Sequence, residues 1–298
     1  MTLSSLQKSI FACCTTVTFF GTLQAQVAKT DTFRTETGGH TFLNINIPSG
    51  EFFLNSSRSC GETVSKLHCN NPNAVQDVQT VKFPNGNIQR NVSLLYQVPS
   101  GFTAKGVKPV PTSSTGGSYR SMFATDPSAQ TDLTLTMESG SSRLDLSGLS
   151  LTNVSIRSTF ADLFLSYASP NRVKMHKFTI EAARATIVLK NPEYAHADMI
   201  SIKNDMGDTK VQMESSEANA TNINIRTGTG TCTLVIHPMH AVKIVVRKGY
   251  LAKVAVEGDF IQVSENTYAN DAFRKAQRGT LITCDTDLGT IHIMSNAH

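Results

Sequence analysis

The sequence contains no tryptophan, and aromatic residues make up only 7% of its 298 residues. Stacked aromatic platforms, which many carbohydrate and single-strand binders use, would have to be built from six tyrosines and fifteen phenylalanines. This shortage disfavours a lectin of that kind without excluding it. Charged residues are also few, and 27 basic against 23 acidic residues form no cationic run that could follow a phosphate backbone. Nucleic acid is therefore not expected as a partner.

Long apolar runs are missing after the first residues of the chain. Residues 9–23 form a mostly apolar stretch that follows Lys8 and precedes Gln24-Ala25-Gln26, which is the pattern of a secretory signal peptide. That stretch is shorter than the roughly 20 residues of a spanning helix, and no later one approaches this length. We therefore predict a signal peptide over residues 1–25, no membrane span in the mature chain, and a periplasmic, secreted or cell-surface location.

Cysteine is sparse, and four of the six cysteines remain after residue 25. Cys60 and Cys69 lie in one polar, asparagine-rich segment, and an oxidising compartment would allow them to form a disulfide. Closing a loop of about ten residues would stabilise the fold by roughly 2.7 kcal/mol. The alternative is a pair of free thiols. Cys232 and Cys284 fall in core positions of the repeat described next, where we predict buried and inert side chains.

A repeated spacing dominates the sequence from Leu133 onward. Each row begins with two inward residues separated by one residue. Four residues then precede a glycine or alanine at the corner. After one further residue, the row ends with two more inward positions that are again separated by one residue. The six rows are Leu133, Leu135, Gly140, Ser142, Leu144; Val154, Ile156, Ala161, Leu163, Leu165; Phe178, Ile180, Ala185, Ile187, Leu189; Ile200, Ile202, Gly207, Thr209, Val211; Ile223, Ile225, Gly230, Cys232, Leu234; and Ile282, Cys284, Gly289, Ile291, Ile293. The first five rows start 21, 24, 22 and 23 residues apart, which indicates one supersecondary unit per repeat.

Each row predicts two short strands that meet at a corner. Alternation with period two places each pair on one face of a strand, and an isolated pair cannot bury that face. Stacking the rows about 4.8 Å apart builds a continuous core, so the sequence predicts an all-β, solenoid-like stack of short two-strand repeats. Because alanine shares the corner with glycine, we expect crowding at that position rather than a left-handed turn.

The same template occurs outside the six rows. Leu43, Ile45, Gly50, Phe52 and Leu54 reproduce it far upstream, which favours a single domain over residues 26–298. Within it, residues 26–130 are irregular and residues 131–298 carry the regular repeats. The Ser, Pro, Gly and Thr-rich segment 98–129 predicts a loop, or a boundary if there are two domains. Residues 242–256 resemble a degenerate row, with Lys253 in its last inward position and a register shifted by Val254 and Val256.

Residues between the inward positions are expected to face water. In the first strands they form a polar ladder of Thr134, Ser155, Thr179, Ser201, Asn224 and Thr283. Two positions further on, Arg157, Glu181, Lys203 and Arg226 form a charged column that would bring Glu181 between two cations. In the second strands Phe164 and Val188 are expected to be outward and adjacent, either as a contact patch or under a neighbouring loop.

The rows contain short motifs that resemble a bacterial envelope family. These are Leu144-Asp-Leu-Ser-Gly-Leu-Ser-Leu-Thr-Asn-Val154, Ala161-Asp162, Ser169-Pro170-Asn171, Met206-Gly207-Asp208 and Leu288-Gly289-Thr290. They are similar to the toast-rack superfamily, which includes "putative adhesin" domains and the C-terminal domains of Lia-type cell-wall stress proteins. The resemblance covers residues 133–294, with an echo at residues 43–54. It implies a toast-rack or single-stranded β-helix type of stack without catalysis. Lia-type proteins carry several N-terminal membrane helices, whereas this chain begins with a predicted signal peptide.

A few polar groups invite a chemical interpretation. His237 and His240 are separated by Pro238, which prevents a regular helix, and no third metal ligand is near in sequence. The glycine-rich residues 227–231 lie at a corner without a following helix, which disfavours phosphate binding. Asp162, Asp208 and Asp287 lie near corners, and Asp162 and Asp208 would be about 10 Å apart.

The sequence thus predicts an exported, non-enzymatic envelope or surface protein, adhesin-like, without a cofactor or a metal. Its expected partner is an unidentified envelope protein or a polysaccharide. The first alternative is an extracytoplasmic sensor or regulatory domain of the envelope stress response. The second is a solenoid enzyme that acts on polysaccharides, with carboxylates from successive rows in one groove.

Overall fold

The computed structural model describes residues 27–34, 39–56, 62–69, 74–96, 119–216, 221–276 and 279–296. The predicted signal peptide and Cys60 lie outside these residues. The upstream strands are β1 (Val27–Arg34), β2 (Thr41–Ile47), β3 (Glu51–Ser56), β4 (Glu62–Cys69), β5 (Ala74–Lys82), β6 (Ile88–Tyr96) and β7 (Tyr119–Thr125).

The first five predicted rows are formed by seven strands. They are β8 (Thr131–Asp145), β9 (Leu151–Ser166), β10 (Lys177–Arg184), β11 (Ile187–Lys190), β12 (Met199–Met206), β13 (Thr209–Met213) and β14 (Asn222–Ile236). The chain continues with β15 (Val242–Lys248), β16 (Lys253–Glu257), β17 (Phe260–Ser264), β18 (Thr267–Asn270), helix α1 (Asp271–Ala276) and β19 (Thr280–Ser295). The predicted all-β class is confirmed.

The rows pair with one another in parallel and in the predicted register. Phe178 pairs with both Val154 and Ile200, so equivalent inward positions of successive rows are neighbours. The second strands repeat this pairing, with Ile187 between Leu163 and Thr209. Four rows are single strands that run through the corner (β8, β9, β14 and β19), whereas β10 with β11 and β12 with β13 are split there.

The inward positions of all six predicted rows form one interior. Each of their four non-corner side chains is at most 2% exposed, including the polar Ser142 and Thr209. Complete burial of an isoleucine or leucine side chain stabilises a fold by about 1.5–3 kcal/mol. The shared apolar interior therefore holds successive rows together, in addition to the main-chain hydrogen bonds between them.

Three further rows extend the stack within the described residues. One is formed by β2 and β3, which pair with β8 as the upstream template predicts. A second is formed by β6 and β7, which pair with β2 and β3. The third is formed by β15 and β16, which pair with β19. In this degenerate row Val254 and Val256, rather than Leu251 and Lys253, align with the inward Ile291 and Ile293, so the second strand is displaced.

At both ends of the stack the spatial order of the rows differs from their order in the sequence. The row of β2 and β3 lies between β8 and the later strands β6 and β7. Likewise β19 lies between β14 and the earlier strands β15 and β16. Antiparallel strands cover the outer rows: β5 pairs with β6, β4 with β7, and β18 with β15.

The corner positions are crowded, as predicted. A Cβ atom added to Gly140 would lie 2.0 Å from the carbonyl oxygen of Gly50 in the neighbouring row. The expectation that these glycines need no unusual backbone conformation is wrong, because Gly140, Gly207 and Gly230 all have positive φ angles. Ala161 occupies the same position without a positive φ, so each row reaches the close contact by its own backbone geometry.

Candidate functional site

The outward side of the first strands, which we call the first-strand face, carries the predicted polar ladder. Thr134, Ser155, Thr179, Ser201, Asn224 and Thr283 are direct neighbours in successive rows. Two upstream residues extend it, because Asn44 pairs with Thr134 and its side-chain amide donates to Asn91 Oδ1 at 2.8 Å. Eight rows at about 4.8 Å per step give a strip of such residues roughly 34 Å long. The expectation that all of them face water is wrong for Thr179, which is buried with its hydroxyl oxygen shielded from solvent.

An open depression of about 280 Å³ lies on the upstream half of this face. Its rim carries Asp132, Arg157, Lys177 and Glu181. The carboxylates there already have partners: Asp132 Oδ1 accepts a 2.8 Å hydrogen bond from the side chain of Asn153, and Glu181 Oε2 lies 3.2 Å from Arg157 Nε. The upstream depression is therefore lined by balanced charge.

The charged column on the first-strand face forms as predicted, but its pairing differs. Arg157, Glu181, Lys203 and Arg226 are neighbours in successive rows. Among the described residues, Glu181 forms an ion pair with Arg157 alone, because Lys203 Nζ instead approaches Asp205 of its own strand at 3.1 Å. Both pairs are exposed, and such pairs contribute about 0–1 kcal/mol.

A second depression of about 440 Å³ lies on the downstream half of the first-strand face. Its polar lining is Ser201, Lys203, Asn224, Arg226, Arg247, Thr283 and Asp285. We call this the basic depression. The sequence pattern indicated the ladder residues and the first two cations. It did not indicate Arg247, because the row that carries Arg247 is degenerate.

The outward side of the second strands, the second-strand face, has a different character. Phe164 and Val188 are outward neighbours, as predicted, and Phe164 is 38% exposed. The guanidinium of Arg143 in the adjacent row lies 6.0 Å from the Phe164 ring centroid, and that of Arg120 lies 4.5 Å from the Phe53 ring centroid. Cations over aromatic rings partly cover this apolar patch.

The aspartates of the enzyme hypothesis have structural roles at the corners. Asp162 Oδ1 accepts a hydrogen bond from the backbone N–H of Thr186 at 2.9 Å. Asp208 Oδ1 accepts one from the backbone N–H of Thr231 at 3.0 Å. Each carboxylate therefore links its row to the next one. Asp287 is exposed at the corner of β19.

The histidine pair and the glycine-rich corner also have structural surroundings. His240 is fully buried in the turn after β14, where Nδ1 lies 3.0 Å from the carbonyl oxygen of Ser215 and Nε2 lies 3.0 Å from Thr280 Oγ1. Because a carbonyl only accepts, Nδ1 carries the proton, and burial lowers the pKa of His240. Residues 227–231 lie within β14, where a Cβ on Gly228 would meet Asp205 O at 2.4 Å. No group of three or more metal-ligating side chains occurs among the residues that the structure describes.

Cys232 and Cys284 are both buried in the interior, as predicted. Their sulfur atoms lie 4.0 Å apart. The hydrogen bond with Cys232, together with burial, raises the pKa of Cys284. Both sulfur atoms are shielded from solvent, and the raised pKa of Cys284 disfavours its nucleophilic thiolate form. The predicted Cys60–Cys69 disulfide involves Cys60, which lies outside the described residues.

A buried carboxyl group lies away from the first-strand face, in the 3-10 turn Pro192–Ala195. Glu193 is fully buried, and its Oε1 accepts a 2.9 Å hydrogen bond from the backbone N–H of Ser215. Burial raises the pKa of Glu193 from 4.5 to about 7. Ser215 is therefore held by two titratable groups, the Glu193 carboxyl and the His240 ring.

We expect Glu193→Gln to stabilise the protein at pH 8 and to have little effect at pH 5. Between pH 4.5 and 7 the native state binds more protons than the unfolded state, so the stability of the parent falls as pH rises through this range. The resulting difference above pH 7 is about 3 kcal/mol. Urea unfolding at both pH values measures it. Exposed Glu257→Gln is the control, and an equal effect of Glu193→Gln at both pH values would contradict the assignment.

Comparison with known proteins adds structural neighbours only. No model of a known protein family and no curated protein matches the sequence. A "putative cell adhesion protein" from Clostridium sporogenes has a TM-score of 0.47 at 14% identity, covering 91% of this chain and 100% of that chain. A "putative adhesin" from Bacteroides fragilis has a TM-score of 0.36 at 9% identity, with coverages of 89% and 96%. A "putative adhesin" from Parabacteroides distasonis has a TM-score of 0.24 at 8% identity, with coverages of 90% and 98%.

Among the described residues, no helix combines the length and the apolar character that a membrane crossing requires.

Proposed function

We propose that the protein is an exported, non-enzymatic, adhesin-like protein of the cell envelope or surface. In this proposal the rows form a β-solenoid of the toast-rack type in a single domain. Its first-strand face binds an extended polysaccharide of the envelope. The observation that carries the proposal is the ladder of hydroxyl-bearing and amide-bearing residues at equivalent positions of eight rows, of which all but the buried Thr179 are accessible.

A regular ladder favours a polymer over a small molecule. Equivalent donors and acceptors recur at about 4.8 Å along one straight line, so a chain of hydroxyl-bearing units can make similar contacts at row after row. Each contact is weak because the face is open to water. Repetition along one chain raises the effective concentration for every further contact and gives useful total affinity.

The local environment of the acidic groups supports binding rather than catalysis. A polysaccharide hydrolase needs two carboxyl groups that flank one glycosidic bond. Asp162 and Asp208 are instead engaged by backbone N–H groups of neighbouring rows, and Glu181 is paired with Arg157. These contacts engage all three carboxylates within the protein, which favours a structural role over a place beside a glycosidic bond.

Blocking one face tests the proposal. Asn224→Tyr places a bulky side chain on the ladder, whereas Thr233→Tyr places the same side chain on the second-strand face of the same strand. We expect residues 26–298 to be retained on an immobilised polysaccharide panel, with retention reduced at least tenfold by Asn224→Tyr and unchanged by Thr233→Tyr.

Three outcomes would contradict this function. Equal losses with both tyrosine variants would remove the first-strand face from the binding surface. Release of new reducing ends from a polysaccharide would make the protein an enzyme. Capture of a membrane protein from envelope extracts, with no retention on any polysaccharide, would support the sensor or regulatory alternative.

A further inference from the structure

The charges of the basic depression are unequal, in contrast to those of the upstream depression. Arg226, Asp285 and Arg247 are neighbours across β14, β19 and β15, so one carboxylate lies between two guanidinium-bearing positions. Both arginines are exposed, whereas Asp285 is half-buried. Among the described residues, no carboxylate oxygen lies within 4.0 Å of a side-chain nitrogen of Arg226 or Arg247, while Lys203 is paired with Asp205.

The position of these cations relative to the ladder is the second observation. Ser201, Asn224 and Thr283 line the same depression and lie two residues before Lys203, Arg226 and Asp285 in their strands. Lys243 faces the same side of β15 as Arg247, since the two are separated by four residues in one strand. Hydroxyl-binding groups and unpaired guanidinium groups therefore lie side by side over about 440 Å³.

From this arrangement we propose that the basic depression selects an acidic polysaccharide, with Arg226 and Arg247 binding anionic groups on sugar units two rows apart. This inference rests on the proposed function and names the substrate class of the same face. A guanidinium presents a planar fork of donors that matches carboxylate and sulfate oxygens. Sugar hydroxyl groups next to those anions meet the ladder residues. A nucleic acid is a poorer match, because neither the face nor the sequence carries a longer cationic track.

Binding to polygalacturonate, dextran sulfate and neutral dextran tests the inference and identifies the anion. We expect the parent protein to bind polygalacturonate or dextran sulfate at least tenfold more tightly than dextran. The double variant Arg226→Gln/Arg247→Gln should lose about tenfold in affinity for the acidic polymer. Arg143→Gln, which removes an exposed arginine from the second-strand face, is the matched control and should bind like the parent. Urea unfolding midpoints equal to that of the parent would show that each variant is folded.

Salt provides an independent measurement. Raising sodium chloride from 0.05 to 0.5 M shortens the screening length to a few ångströms, so the acidic polymer should bind the parent at least tenfold more weakly while the double variant changes little. Equal affinity of the parent and the double variant for the acidic polymer would overturn the inference. So would tighter binding of single-stranded DNA than of either acidic polysaccharide.

The two proposals fail in distinguishable ways. If Asn224→Tyr abolishes retention on a neutral polysaccharide while the double arginine variant binds all polymers like the parent, the first-strand face remains the binding surface and only its acidic preference is wrong. If no polymer is retained by the parent, the proposed function itself is wrong.

Discussion

Ile225→Asp is expected to abolish folding, whereas Asn224→Asp one residue earlier should leave the protein folded. Ile225 is 2% exposed and lies between Ile202 and Cys284 of the neighbouring rows. A carboxylate there would lose its hydration without gaining a partner, and the isoleucine packing would be lost as well. We expect a loss of at least about 5 kcal/mol, which is comparable to the whole stability of many domains.

The control places the same charge on the other side of the same strand. Asn224 is exposed, and the exchange of its amide for a carboxylate keeps the shape of the side chain. Soluble yield, far-ultraviolet circular dichroism and urea unfolding should show a parent-like Asn224→Asp protein and no cooperative transition for Ile225→Asp. A parent-like transition for Ile225→Asp would mean that the rows do not share one interior.

Gly140→Ala should destabilise the protein by about 3 kcal/mol or more. Gly140 has a φ of 111°, and its added methyl group would lie 2.0 Å from Gly50 O and 2.8 Å from Gly50 N. Both are backbone atoms of the adjacent row, so this steric clash can be relieved only if the two paired rows move apart. The predicted loss of stability therefore includes the weakened contact between the two rows as well as the backbone strain.

Gly86→Ala separates these two contributions. Gly86 has a φ of 81° in the turn between β5 and β6, but no atom lies within 4 Å of an added Cβ. Strain alone should cost about 1 kcal/mol there. Thermal or urea unfolding of the two variants measures the difference, and equal destabilisation would show that close approach between rows is not what requires glycine at position 140.

The sequence was sufficient to predict the regular rows because their inward residues obey one spacing and one alternation. It did not indicate the row of β6 and β7. In that row the buried Arg90 pairs with Leu43, so a charged residue interrupts the apolar alternation. In addition, residues 97–118 separate the two strands of the row in the sequence. The displaced second strand of the degenerate row was indicated by the sequence, because Val254 and Val256 shift the register of the alternation, and the structure confirms that shift.

The candidate site was predictable to the same extent. The ladder follows from alternation alone, and the upstream template contained Asn44 between Leu43 and Ile45. The partners of charged side chains were not predictable, because neighbouring rows and neighbouring residues of one strand compete for them. Lys203 therefore binds Asp205 rather than Glu181. The basic depression depends on β19 lying between β14 and β15. The sequence does not reveal this order, because all three strands have similar patterns of apolar residues.

The position of β19 between β14 and β15 makes the integrity of this face depend on the order of synthesis. A ribosome makes β15 to β18 before β19, so the place between β14 and β15 stays vacant until β19 emerges. Until then both neighbours present unpaired backbone edges, which are prone to associate with other chains. Arg226 and Arg247 also reach their common neighbour Asp285 only at that moment. A nascent chain stopped before residue 280 would thus lack the arrangement that we assign to ligand binding, and only a chain that includes β19 would be competent.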